Sequence, residues 1–482
     1  MWLSIALSAG CPLAALAQKG GAAKAVAEGP ASIGREAEQT KQSAVDPTKV
    51  KRTDPTEVWK DPNASAALPN TFPELPTSRF LTRSEIDSVM NMATGQALIN
   101  REVLKRYIQN YAADLTRHTN IEAYLSIGGF NSEGEPLTPQ ELSRNAGLVK
   151  GIETAASQLS APLIKAEASR NTAFRAEYTR ALIPVVGQLL KNHLIARIQG
   201  MIVLSRSGDP EAIPTFVAAL KDPNQLLSVK ERAAVGLIQV GQGGRALLNP
   251  GQQAIPAAEG LTTFLEQEPN AFWPAKARAL EALGALRQST SRPGRDQADF
   301  ATAVMKYLAD PKAKFEVRVA AAWAMGWMRI DRQVPKYNFA LIAYHIGQLA
   351  AEIGDRIVEV EPENPYRTRH LTNLELQLLE SLVGDTSGPP NDTGLSRANH
   401  PALASARVFI SQVQQRIHGV AGASIALSNA AGQQRTPRRN ELAAQVEDLK
   451  SFLTKNTPTD RKLVPGGDDF PGPKAQVAAG DK

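Results

Sequence analysis

Four copies of one ten-residue pattern constrain this chain more than anything else in it. ARIQGMIVLS begins at Ala196, VKERAAVGLI at Val229, AKARALEALG at Ala275 and VRVAAAWAMG at Val317. Position one is Ala or Val and position two Lys or Arg; position five is Ala or Gly, position eight small or β-branched, position nine Leu or Met. The starts lie 33, 46 and 42 residues apart. That is the scale of a helical hairpin that cannot bury its apolar face alone and must stack on its neighbours.

A second register runs with the first. Asp222-Pro223, Glu268-Pro269 and Asp310-Pro311 each place their acidic residue seven positions before a copy of the pattern, after an apolar helix end (TFVAAL, LTTFL, VMKYL). Proline cannot continue the preceding helix, and it pushes the residue before it out of the α region. The acidic residue is expected to meet the Lys or Arg that opens the following helix, so Lys230, Lys276, Arg197 and Arg318 read as internal ion pairs, not as a ladder for an anionic ligand. Small residues at positions five and eight let helices approach closely.

Together these residues resemble HEAT repeats, in the short form also found in phycobilin lyases, where helix A opens V-[RK]-x-x-A-A. GDPEAIPTFVAALKD resembles helix B, with Gly208-Asp209-Pro210 as the turn into it. The resemblance implies an all-α chain, an α-solenoid of HEAT-like helical hairpins spanning residues 191–384. Four repeats are clear, and a degenerate fifth follows Glu361-Pro362, where Thr372 and Asn373 replace the expected alanines. It transfers no lyase chemistry, because only the repeat is shared. Gly241 to Gln253 and Ser289 to Gln297 are longer than tight turns and read as tolerated insertions, with binding loops as the alternative.

Outside the array the chain changes character. Residues 1–17 carry no charge and end in Ala15-Leu16-Ala17, a small-x-small pattern that predicts a signal peptide cleaved after Ala17 and an exported protein, periplasmic or extracellular. No basic residue precedes the apolar stretch. A lipid anchor at Cys11 and a retained, cytoplasmic or anchored N-terminus are the other readings. Residues 18–80, with seven prolines from Pro30 to Pro76, read as a flexible linker. Residues 81–190 read as an N-terminal helical cap, with helix starts at Thr82 or Ser84 and at Thr138-Pro139. Residues 385–456 read as linkers and C-terminal helices, one capped by Asn440, and 457–482 as a disordered tail.

Chemistry is sparse. Cys11 is the one cysteine, which removes disulfides and thiolate metal sites from the folded body. The six histidines, His118, His193, His345, His370, His400 and His418, form no closely spaced ligand set. There is no phosphate-binding glycine loop, nucleophile elbow or EF-hand. The net charge of +6, from 54 basic and 48 acidic residues, contains no basic block of the kind nucleic acid requires. No second stretch is long and apolar enough to span a membrane. Trp323 and Trp327, four apart, read as core rather than as a contact hot spot.

The expectation is therefore an exported scaffold with no catalytic, cofactor or metal residues. It would hold a protein or peptide partner on a concave surface lined by B helices, including Glu211 to Leu220 and Asn338 to Ile353. An enzyme or accessory subunit acting on cell-envelope polymers is the first alternative, and a cytoplasmic nucleic-acid or ribosome-associated protein the second.

Overall fold

The computed structural model describes residues 72–77, 81–126, 136–243, 248–294, 297–360, 365–384 and 393–470. The predicted signal peptide with Cys11, most of the expected linker and residues 471–482 lie outside them. The described residues are all-helical, with isolated bridges but no strand.

Among the described residues five helices make up the N-terminal region: α1 (Arg83–Ala93), α2 (Arg101–Thr116), α3 (His118–Leu125), α4 (Pro139–Ala168) and α5 (Thr172–Leu189). The local start signals are obeyed. Thr82 caps α1 and Thr138 caps α4, each in a reciprocal capping box with the glutamate three residues on, Glu85 and Glu141.

The repeat segment then alternates. Helices α6 (Leu194–Ser205), α8 (Leu227–Gly243), α10 (Trp273–Leu286) and α12 (Phe315–Trp327) carry the four copies of the pattern. Between them lie α7 (Ile213–Lys221), α9 (Ile255–Gln267) and α11 (Asp299–Ala309), and α13 (Phe339–Val360) follows α12. The pattern-bearing helices pack side by side in the order α6, α8, α10, α12, then on to α14 (Pro365–Val383). The alternate helices form a second row, α7, α9, α11, α13. Asp222, Glu268 and Asp310 are the C-caps of α7, α9 and α11, so each acidic-Pro pair stops its helix where expected.

Small residues set the spacing of the first row. A Cβ on Gly284, the last pattern position of α10, would lie 2.7 Å from the Ala324 Cα of α12. The equivalent Gly326 of α12 faces Ser381 of α14 so closely that a Cβ would collide with that carbonyl. Backbones this near leave room only for hydrogen.

Two long helices, α15 (Leu403–Asn429) and α16 (Arg435–Lys455), pack over α13. That arrangement corrects the surface expected at Asn338 to Ile353. Phe339, Ile342, Ile346, Leu349 and Ile353 are buried on one side of α13, while Val413 and Leu453 of the covering helices meet its Gly347 on another. A helix apolar all round belongs in a core. Asn440 does not start α16 but lies inside it, five residues after the first turn begins at Arg435.

Part of the expected tail is also ordered. Leu463, Val464 and Phe470 are buried, and the Asn338 side chain donates to the carbonyls of Asp460 (3.0 Å) and Lys462 (3.1 Å). The Asn338 N–H donates to Leu463 O (2.9 Å), and Lys306 pairs with Asp468 (3.1 Å). Three apolar side chains and an asparagine offset the entropy that the Pro/Gly composition suggested would win.

Candidate functional site

Helices α2 and α5 lie beside each other and leave a groove of about 590 Å³ between them. Asn100 caps α2, its side-chain Oδ1 accepting from the N–H groups of Glu102 and Val103. That register buries Leu104, Tyr107 and Ile108 and turns Arg101, Lys105 and Gln109, one turn apart, toward the groove. From α5, Glu177, Arg180, Pro184 and Gln188 form the opposite wall, and Leu104, Ala181 and Val185 supply apolar floor.

The rim is a chain of charge. Arg101 grips Glu177 in a two-pronged pair (2.7 and 2.9 Å), and Arg180 bonds the same carboxylate (2.6 Å) before reaching Glu211, at the start of the turn into α7. The hydrogen bond from Arg101 is the main reason the Glu177 carboxyl sits below the usual carboxylate range. A carboxylate held this way is a strut and a poor proton acceptor. Lys105, one turn along α2, has no ion-pair partner among the described residues. Leu98, 95% exposed, stands at the mouth of an adjoining shallow hollow that shares Arg101, Glu102 and Glu177.

The third wall belongs to the expected linker. Leu75 and Pro76 line the groove, and the stretch from Phe72 to Pro76 is seated against the ends of four helices. Leu75 N–H donates to Thr116 Oγ1 (2.9 Å), and Asn192 Nδ2 donates to Pro73 O (2.9 Å). His118 Nε2 donates to Phe72 O (2.8 Å), which fixes the hydrogen on that nitrogen because a carbonyl only accepts. The His118 backbone N–H donates to Glu74 Oε1 (2.7 Å), with Nδ1 of the same ring 3.6 Å from that oxygen. The Phe72 ring meets the His193 imidazole edge-on at 6.1 Å.

The expected internal ion pairs exist in part, with different partners. Lys230, its side chain 3% exposed, bonds Glu268 (2.7 Å), and Arg318, equally buried, bonds Glu352. In both, the cation opening the first helix of a hairpin reaches its own second helix, Lys230 at the C-cap of α9 and Arg318 at the middle of α13, not the acidic residue seven positions before the pattern. Lys276 donates to Pro269 O and Arg197 to Asn192 O (both 2.5 Å), so these two satisfy carbonyls. Trp323 and Trp327 stack at 4.3 Å, with Trp327 buried, as read from their spacing. The long loop from Ser289 is pinned at both ends, Ser291 N–H to Asp299 and Gly294 N–H to Asp331, both 2.8 Å.

Of the histidines, His345 is buried on α13 with Nε2 unpartnered, and burial drives its proton affinity down to about 4. Glu375 of α14 is fully buried, and burial raises its carboxyl to about 8. The Ser424 hydroxyl of α15 lies near enough to oppose that rise slightly, but neither group makes a well-formed hydrogen bond. Among the described residues no three His, Cys, Asp or Glu side chains come together as a metal site, and no helix is long and apolar enough to cross a membrane.

Sequence reasoning did not find the groove. Two of its three ion pairs join residues 76 and 31 apart, a separation that no local pattern encodes. The available signal was the pair Pro73 and Pro76, which marks an extended stretch whose same-facing residues recur every third position. Comparison with protein-family models, with curated proteins and with solved structures returned no match.

Proposed function

We propose that this chain is an exported scaffold, an α-solenoid of HEAT-like hairpins from α6 to α14, that holds a protein or peptide partner and performs no catalysis of its own. The observation that carries the reading is the groove between α2 and α5, open at the surface and continuous through the Arg180–Glu211 bond with the row of α7, α9 and α11. Along that row Pro214, Ala218, Glu259, Glu266, Asp299 and Lys306 are exposed. Short and charged side chains on a packed helical layer suit an extended partner read by many small contacts. The two side-by-side rows and the shared helix stops support the solenoid, and the uncharged stretch ending at Ala17 supports export.

The groove has an apolar floor, amide side chains at Gln109 and Gln188, and a rim in which carboxylates are tied to guanidiniums. Those groups orient a chain; they do not move protons. The test is a photo-crosslinking residue placed at Gln109 or Gln188 of the full-length protein, with Val408 on α15 as the distant control. The same material is read for its N-terminus by mass spectrometry. Adducts at the groove alone, abolished by Lys105→Glu, with a chain beginning at Gln18, are expected. Equal adducts at Val408, or a retained Met1, would overturn the binding or the export half respectively.

A further inference from the structure

The cradle that holds Phe72 to Pro76 says what kind of segment this surface accepts. We infer that Thr116, His118, Asn192 and His193 form a recognition site for an extended aromatic-Pro-acidic-aliphatic-Pro segment, and that the chain's own Phe72-Pro73-Glu74-Leu75-Pro76 occupies it as a displaceable latch. This rests on the peptide-scaffold reading and names the partner's chemistry.

Each element of that description has a group that reads it. The extended backbone is read three times, through Phe72 O, Pro73 O and the Leu75 N–H, by His118, Asn192 and Thr116. The acidic position is read by the His118 backbone N–H, the aromatic position by the edge-on contact with His193, and the aliphatic position and final proline form the groove wall. The readers are themselves rigid. Thr116 closes α2 and His118 opens α3, while Asn192 and His193 precede α6, where His193 is the N-cap. Asn192 also accepts the His193 N–H (2.8 Å), which locks its amide so that Nδ2 points at the segment.

The occupant is held lightly. Pro73, Glu74, Pro76 and Thr77 are exposed, and Phe72 and Leu75 are only half-buried, whereas Asn192 and His193 beneath them are buried. A buried donor at Asn192 and a buried acceptor at Thr116 under a mostly exposed chain are the arrangement of a ligand on a site, with little apolar burial to resist exchange. Tethering keeps the cradle full: a covalently attached segment competes at an effective concentration on the order of millimolar. A partner must present the same chemistry at higher affinity, or several copies of it, to take its place.

The test uses the full-length protein and a fluorescent peptide of residues 71–77, read by anisotropy at constant pH. Phe72→Ala with Leu75→Ala weakens the latch, removing its aromatic and aliphatic side chains without touching the cradle. This variant should bind the peptide at least tenfold more tightly than the wild type, and adding Asn192→Ala or Thr116→Val should reverse the gain. A variant that keeps the wild-type melting temperature yet binds no peptide, or binds it regardless of Asn192 and Thr116, overturns the inference. In unmodified protein, hydrogen exchange at the Leu75 amide should accelerate as unlabelled peptide is added; unchanged exchange at saturating peptide also overturns it. Peptide binding that persists while groove crosslinks to a partner are absent would refute the scaffold reading alone, and the converse would refute the latch alone.

Discussion

The row of pattern-bearing helices and the four-helix cluster at its C-terminal end bury apolar surface in different ways. In α8, α10 and α12 the contact is made by alanines and glycines, with Gly284 and Gly326 at positions where a methyl group has no room. The buried cations there, Lys230 and Arg318, each reach a carboxylate. In α13 to α16 the helices are longer and cross over one another, and polar atoms are sealed in without partners: His345 Nε2, Gln348 Oε1, both oxygens of Glu375 and the Ser424 hydroxyl. In the row the same close spacing recurs from α8 to α14, while the opening cations divide between carboxylates, at Lys230 and Arg318, and carbonyls, at Arg197 and Lys276. The terminal cluster is a single solution, and the polar groups it seals make its stability depend on protonation.

The largest effect should come from spoiling the close packing. Gly326→Leu forces α12 away from Ser381 and is expected to cost about 4 kcal/mol or prevent folding, read as the urea midpoint. Ala at the same site should cost less but be clearly destabilising, since even one methyl collides.

Next comes the pH dependence of the cluster. Glu375 stays protonated in the native state up to about pH 8, while the unfolded carboxyl ionises near 4.5. Between those values the native state binds the extra proton, so stability falls as pH rises, by about 1.4 kcal/mol per unit. His345 has the opposite sign: native it is neutral down to about pH 4, unfolded it protonates near 6.5, so its contribution rises with pH across that interval. The two slopes oppose each other from about 4.5 to 6.5, and Glu375 alone acts from there to about 8. Glu375→Leu should flatten the upper slope in urea titrations at pH 6.5, 7.25 and 8. An unchanged slope would show that Glu375 is not the group responsible.

A third change tests the row's ion pairs. Arg318→Ala strands Glu352 and removes a buried guanidinium, with an expected loss of about 3 kcal/mol. Arg318→Ala combined with Glu352→Ala should recover part of it. The smallest effect is expected at the groove: Arg101→Ala, whose side chain is 75% exposed, should leave the urea midpoint nearly unchanged. A large loss there would mean that the Arg101–Glu177–Arg180 chain is structural cement for the N-terminal helices.

How much of this was legible follows the same divide. Helix starts at Thr82 and Thr138 and the stops at Asp222, Glu268 and Asp310 are local chemistry, and the chain obeys it. The partner of Lys230 was not legible, because spacing points back to Asp222 while the folded hairpin brings Glu268 to the side chain from 38 residues on. The apolar run FALIAYHIGQLAAEIG did contain a warning. A helix with buried residues on every side cannot line an open surface, and α13 is covered by α15 and α16. For the groove, the missing information was which end of the linker would find the helix ends at Thr116 and Asn192.

The ordered stretch 457–470 gives the molecule a direction in time. Asn338 caps α13 through its carbonyl oxygen and with its amide holds the carbonyls of Asp460 and Lys462, while Phe470 covers the ground beside His345. These residues are synthesised after every helix they fasten. A ribosome therefore delivers α6 to α12 before this segment, and the Asn338 end of α13 stays unfastened until residues 457–470 emerge. A nascent chain stalled before Leu463 would leave the Asn338 end of α13 unfastened beneath α15 and α16.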